Sequence, residues 1–191
     1  MKNNSSKSKA VFLDRDGTLI EDKIYLNDPD QVVYLPGVFE ALRLLRDQGF
    51  IFLIATNQSG VARGIVDIKN LYEIHRRIRA RFAQEGVDLL SFYYAPYMTH
   101  TDHPQRKPNP GMLLRGALDH NVDLSQSWMV GDRMIDVEAG HRAGCRSVLL
   151  AGRESPEDSS YSPPEIWTSS LLEAAPKMLH LDLSSPRELS E

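Results

Sequence analysis

The run Ala10-Val11-Phe12-Leu13-Asp14-Arg15-Asp16-Gly17-Thr18 constrains this chain more than any other stretch. Its apolar residues follow one another without polar alternation, the pattern of a strand buried on both faces of a parallel sheet. Asp14 then closes the strand at its carboxyl end, where open α/β sheets bind their ligands. Alternate residues of an extended segment face the same way, so Asp14 and Asp16 converge on one centre. Gly17 allows the backbone to turn sharply or to approach a ligand closely. Such a pair suits one carboxylate as nucleophile, the other as general acid/base, and a hard cation beside them. Taken alone, the stretch is equally a strand running into an Asp-rich turn. The rest of the chain decides.

Further apolar strands recur at regular intervals. Phe50 to Ala55 ends in Thr56-Asn57-Gln58-Ser59-Gly60, Leu89 to Tyr94 is a third strand, and Trp128-Met129-Val130 ends in Gly131-Asp132. Residues 146–150 and a short edge strand at Ile166-Trp167 complete the set. Helices are expected between them. Pro36 opens one that Gly49 closes, with Val38, Leu42 and Leu45 facing the core. Residues 67–85 form another, with Leu71, Ile74, Ile78 and Phe82 on one face. Helices at 112–121, 133–143 and 170–181 follow, and Arg76, Arg77, Arg79 and Arg81 read as a solvated face. Strand alternating with helix predicts a doubly wound, Rossmann-like parallel sheet of five or six strands with helices on both faces. Residues 1–9 read as a disordered leader, 10–181 as one domain and 182–191 as a flexible tail. The segments 19–35 and 64–95 are too short for a large cap domain.

Composition removes several function classes. With 22 Lys and Arg against 26 Asp and Glu the net charge is −4, which disfavours a nucleic-acid partner bound through overall basic charge. The one cysteine, Cys145, excludes an intrachain disulfide and any multi-cysteine metal site. No apolar run approaches membrane-spanning length, and Asp14 interrupts any signal-peptide pattern. A cytoplasmic monomer acting on a small molecule, without membrane or nucleic-acid partner, is the expectation.

Asp14/Asp16, Thr56-Asn57, Arg106-Lys107 and Gly131-Asp132 all fall at strand ends or in adjoining loops. In a parallel sheet these can meet in one crevice. Together they supply a nucleophile, an acid/base, hydroxyl and amide donors, a cation and a further carboxylate. Phosphoryl transfer, where catalysis is mostly positioning and charge neutralisation, needs that set.

Asp14-Arg15-Asp16-Gly17-Thr18, Thr56 through Gly64, Arg106-Lys107-Pro108-Asn109-Pro110-Gly111-Met112 and Val130-Gly131-Asp132 resemble the haloacid dehalogenase-like (HAD) superfamily of Mg²⁺-dependent aspartyl phosphotransferases. Within it they are similar to the D-glycero-D-manno-heptose 1,7-bisphosphate 7-phosphatase branch, from about residue 10 to residue 150. Histidinol-phosphate phosphatases share these segments and remain an alternative. Polynucleotide 3′-phosphatases, with a related core, and a non-catalytic module that only binds a phosphorylated ligand are the others.

The resemblance implies roles. Asp14 would be the nucleophile and Asp16 the general acid/base, while Thr56 and Lys107 would hold the transferring phosphoryl group. Asp14, the backbone carbonyl of Asp16, and Asp132 would hold Mg²⁺. Asp136, one turn beyond Asp132, either orders a metal-bound water or lies on the helix surface. Substrate contacts map onto Arg15, Asp22, Lys23, Tyr25, Asn57, Gln58, Ser59, Arg63, Arg106 and Arg133. One departure is clear. Relatives often carry a Cys-x-His … Cys-x-Cys zinc loop before Arg-Lys-Pro, but Ala95 and Tyr97 stand at its first pair and residues 95–110 hold no cysteine. No zinc is expected, and His100 and His103 read as solvent-exposed loop residues. His75, His120, His141 and His180 read as structural, and Cys145 as buried packing.

Overall fold

A computed structural model describes residues 7–152 and 154–184. Its strands are β1 (Ala10–Leu13), β2 (Ile51–Asn57), β3 (Leu89–Ala95), β4 (Trp128–Gly131), β5 (Arg146–Leu150) and β6 (Ile166–Thr168). They form one six-stranded sheet in the order β3-β2-β1-β4-β5-β6, and every pairing is parallel. The helices are α1 (Val38–Asp47), α2 (Ser59–Ala62), α3 (Ile68–Gln84), α4 (Gly111–His120), α5 (Met134–Ala143) and α6 (Leu171–Ser184). The expected doubly wound α/β architecture is what the chain adopts.

Strand register explains why the strands carry no polar alternation. Val11 and Leu13 pair with Phe52 and Ile54 on one side, and with Trp128 and Val130 on the other. Those residues join the core beneath α1, α3 and α6, through Leu42, Leu45, Ile74, Ile78, Phe82 and Ala174. Ala10, Phe12, Leu53 and Met129 point oppositely, into a core with Met112 and Leu113 of α4 and Ala143 of α5. With helices on both faces, the residues of the central strands β1 and β4 are removed from water, worth about 1.5–3 kcal/mol for a large apolar side chain, whereas Leu90 of β3 and Trp167 of β6 at the sheet's edges stay exposed.

The boundaries differ from expectation in a few places. Pro36 does not open α1. Gly37 intervenes with φ of 77° and caps the helix, which starts at Val38. The single turn α2 was not anticipated, being too short to show any periodicity. The leader expected over 1–9 is described only from residue 7, and Ser8 is tied down: its N–H donates to the Asn121 carbonyl, and its own carbonyl accepts from Asp123 N–H. Residues 1–6 and 185–191 lie outside the described residues. Of the tail expected over 182–191, residues 182–184 instead belong to α6, which runs to Ser184, and Asp182 pairs with Lys9 and Arg146. Segment 19–35 holds a 3-10 turn at Pro29–Gln31, and 64–95 holds α3 and β3. No helix among the described residues is long and apolar enough to cross a membrane.

Candidate active site

From β1 the chain passes to β2 and β3 on one side, then returns to build β4 to β6 on the other. Loops leaving the carboxyl ends of β1, β2 and β4 therefore diverge and open a crevice. A cleft of about 200 Å³ lies there, lined by Asp14, Asp16, Thr56, Lys107, Asp132 and Asp136 at its inner end. It continues past Arg106, Arg133 and Thr99 into a further recess beside His100 and Asp102.

Asp14 extends the β1 ladder by donating its N–H to the Val130 carbonyl at 2.9 Å, which fixes its backbone. Its Oδ1 accepts from Lys107 Nζ at 2.7 Å, and the same ammonium reaches Asp136 Oδ1 at 2.6 Å and the Ala55 carbonyl at 2.7 Å. All three Lys107 protons are thus engaged. Burial works against its charge, but Asp136 and Asp14 together hold its pKa above the ordinary value. Burial raises the Asp136 carboxyl, against Lys107, and Asp14 pushes in the same direction as burial. Two buried carboxylates on one ammonium carry excess negative charge. Asp132 adds to it: Asp14, Asp132 and Asp136 each offer an oxygen within 4.8 Å of the others.

That donor set fits a hard divalent cation, whose preferred ligands are carboxylate oxygens. Gly17 makes room for the Asp132 carboxylate of that set, since a Cβ there would lie 2.2 Å from one of its oxygens, and its φ of 77° disfavours any other residue. Asp136 is not on the helix surface, as one reading allowed. It is 1% exposed, and its Oδ2 accepts from Arg133 N–H at the start of α5.

Asp16 faces the same cleft but is held from behind. Arg15 Nε and Nη2 grip both its oxygens at 2.9–3.2 Å, and Gln58 Nε2 donates to Oδ2 at 2.9 Å. Burial raises the Asp16 carboxyl above its usual range, Arg15 pulls it down, Asp14 pushes it up, and the net shift is upward. Gln58 also donates to Thr56 Oγ1, leaving the threonine O–H to donate into the cleft.

Several expected substrate contacts lie elsewhere. Arg15 is 1% exposed and does not line the cleft, because the alternation that brings Asp14 and Asp16 together turns Arg15 inward. Lys23 points away and pairs with exposed Glu21 at 2.7 Å. Asn57 lines the cleft, yet both ends of its amide bond the Lys107 backbone, so it anchors the loop that delivers the lysine. Asp22, Tyr25, Ser59, Arg106 and Arg133 do line it, and Arg63 reaches its edge by donating to Thr99 Oγ1 at 3.2 Å. Thr99 and Ile135 also line it and were not anticipated, whereas Ile24 lies in the loop already expected to meet substrate. Ile24 is presented by a tight turn in which Asp22 Oδ1 accepts its N–H and its φ reaches 67°.

At the outer end the charge is reversed. Burial lowers the Arg106 pKa, and the Arg133 and Arg63 charges lower it further. Burial also opposes charge on Arg133, but Glu154 beside it holds its pKa above the ordinary value. The 96–110 loop that carries Arg106 is braced by its own contacts. Tyr97 stacks on His103 at 3.6 Å, Arg106 Nη1 donates to the Tyr97 carbonyl, and Asn109 Nδ2 donates to Asp102. His103 is therefore half-buried rather than solvent-exposed; His100 is exposed.

A strand-end aspartate pair, a buried lysine and a carboxylate from the next strand, on a doubly wound sheet, define an aspartate-based phosphotransferase site. Comparison with known proteins agrees. Residues 105–174 match the HAD-hydrolase-like family. The chain is 38% identical over 154 residues to the D-glycero-beta-D-manno-heptose-1,7-bisphosphate 7-phosphatase of Pasteurella multocida, covering 78% of this chain and 84% of that one. It is 37% identical to the D-glycero-D-manno-heptose-1,7-bisphosphate 7-phosphatase of Thermosynechococcus vestitus, over 74% of this chain and 78% of that one. The crystal structure of D,D-heptose 1,7-bisphosphate phosphatase from B. bronchiseptica, complexed with magnesium and phosphate, superposes with a TM-score of 0.82 at 31% identity, covering 91% and 99% of the two chains. The chain belongs to the D-glycero-D-manno-heptose-1,7-bisphosphate 7-phosphatase family of HAD phosphatases.

Proposed function

We propose that this phosphatase removes the 7-phosphate of D-glycero-D-manno-heptose 1,7-bisphosphate, with Asp14 as nucleophile and Mg²⁺ as cofactor. The observation that carries the reading is the pairing of opposite charges along one cleft. Acidic groups around Lys107 lie at the inner end, and Arg106 and Arg133 at the outer end. A bisphosphate can place its reacting group at the first and its second phosphate at the second.

Asp14 Oδ attacks phosphorus while Lys107 holds its carboxylate in place and offsets charge beside it. The Thr56 O–H donates to a phosphoryl oxygen. Asp16, whose carboxyl burial raises above its usual range, gives its proton to the departing sugar oxygen. The resulting carboxylate then takes a proton from the water that releases phosphate from Asp14. Magnesium, held by Asp14, Asp132 and the Asp16 carbonyl, would supply Lewis-acid neutralisation of the phosphoryl charge. The 96–110 loop carries no thiolate and is held by ring stacking and hydrogen bonds, which supports a site built without zinc. The acidic balance supports a small-molecule substrate rather than a nucleic-acid partner, and the lone cysteine suits a reducing compartment such as the cytoplasm.

The test is phosphate release from both anomers of the heptose bisphosphate, histidinol phosphate and a 3′-phosphorylated oligonucleotide. One heptose bisphosphate anomer should exceed the other two substrate classes in kcat/KM by at least about tenfold, the equivalent of about 1.4 kcal/mol of transition-state binding. Faster turnover of histidinol phosphate or the oligonucleotide would assign a different substrate.

A further inference from the structure

We infer that Arg15 and His75 form a buried positioning pair that aims the Asp16 carboxyl at the leaving group. A side chain of α3, a helix with no residue lining the cleft among those described, thereby acts on proton transfer. The proposal rests on the role of Asp16 given above and is independent of the sugar.

Arg15 is 1% exposed and His75 7% exposed. With Nε and Nη2 on Asp16, the guanidinium turns its remaining nitrogen, Nη1, to His75 Nε2 at 3.1 Å. Arginine only donates, so His75 accepts at Nε2 and carries its proton on Nδ1. Burial first, then the Arg15 and Arg79 charges, lower the His75 pKa to about 3, which keeps that lone pair available. The ring itself is fixed by stacking on Phe92 of β3, centroids 4.6 Å apart at 28°. A rigid path therefore runs from β3 through the imidazole and the planar guanidinium to both oxygens of Asp16. A histidine serving only as packing would need no acceptor turned toward a guanidinium, since an apolar side chain could stack on Phe92 as well. Removing the acceptor leaves Nη1 buried and unpaired, and the guanidinium rotates to relieve it. Because its donors lie in one rigid plane, the grip on Asp16 rotates too.

Asp16 acts when the bond from phosphorus to the leaving oxygen breaks and that oxygen takes its proton, as Asp14 bonds to phosphorus. A misaimed Asp16 should therefore matter most for poor leaving groups. The test is single-turnover release of the first product from phenyl phosphate and p-nitrophenyl phosphate by wild type, H75L, H75Q and Asp16→Asn. In H75L, phenol release should slow about tenfold while p-nitrophenol release stays within about twofold, because p-nitrophenolate departs without a proton. H75Q, whose Oε1 can accept from Nη1, should restore the wild-type ratio. Equal slowing of both substrates by H75L, an unchanged ratio, or failure of H75Q to restore it would overturn the proposal. If H75L does not fold, Arg15→Lys must give the same change in ratio, since it keeps a buried cation but loses the planar fork; an unchanged ratio there also overturns it. Asp16→Asn separates the layers. If it shows no dependence on leaving group, the role of Asp16 itself falls; if it does and H75L does not, only the positioning pair falls.

Discussion

The two ends of the cleft carry opposite charge and are built by opposite means. At the inner end Asp14, Lys107, Asp132 and Asp136 are each less than a tenth exposed and stand at strand ends or against them. At the outer end Arg63 and Arg133 are exposed and reach in from loop and helix-start positions, with Arg106 seated in the 96–110 loop between them. Burial makes each inner charge depend on its neighbours, because an unpaired buried ion is costly. Arg63 and Arg133 remain hydrated and can exchange partners with a ligand at little cost, while Arg106 is buried and held by the Tyr97 carbonyl. In the proposed function, the reacting groups are thus the ones that packing holds still, and the second phosphate meets guanidinium groups of which two face solvent.

The largest break in that contrast comes from the nucleophile. Asp14→Asn should lower turnover by roughly 10³-fold or more while leaving the melting temperature nearly unchanged. A variant retaining a tenth of the wild-type rate would contradict covalent catalysis at this position. Lys107→Ala should lower kcat by about 10²–10³-fold. It should also cost about 3–5 kcal/mol in urea unfolding, because Asp14 and Asp136 are left buried beside each other without their cation. A loss of activity without loss of stability would show that the inner network is looser than its geometry. Arg106→Ala sharpens the other half of the comparison. KM for the bisphosphate should rise about tenfold with kcat changed less than threefold, the mark of binding shared by ground and transition states. An effect on kcat equal to that of Lys107→Ala would erase the distinction between the ends. The smallest effect concerns zinc. Chelation followed by Mg²⁺ replenishment should restore full activity, and elemental analysis should find no stoichiometric zinc. Recovery only on adding zinc would mean that the 96–110 loop is shaped by metal.

The sequence made the inner end legible and the outer end only in part. Asp14, Asp16, Thr56 and Asp132 follow apolar runs whose ends a parallel sheet must bring together, so their meeting needs no three-dimensional information. Lys107 was found through its loop motif and reaches the site because Asn57 anchors that loop. Arg15 was misassigned although the rule that joined its neighbours also turns it away. The burial of Asp136 had a signal in its position three residues after Arg133, where a carboxylate caps a helix start. Thr99 and Ile135 had none, since their approach to the cleft depends on how a loop and a helix are laid over the sheet. His75 occupies the apolar stripe of α3 between Leu71 and Ile78, which marks it as interior but not as a partner of Arg15.

Gly17 and Gly131 show how much of this site is made of absence. A methyl group on Gly131 would lie 2.2 Å from an Asp136 oxygen, as one on Gly17 would from Asp132. Neither glycine has a side chain to react or bind, yet each leaves open the hollow into which a carboxylate must fit. In a survey of substitutions both positions should therefore behave like catalytic residues, tolerating nothing. Their intolerance would report the shape of the mould, and the same shape is a barrier that a chain drifting toward another activity could cross only by giving up its acidic pocket first.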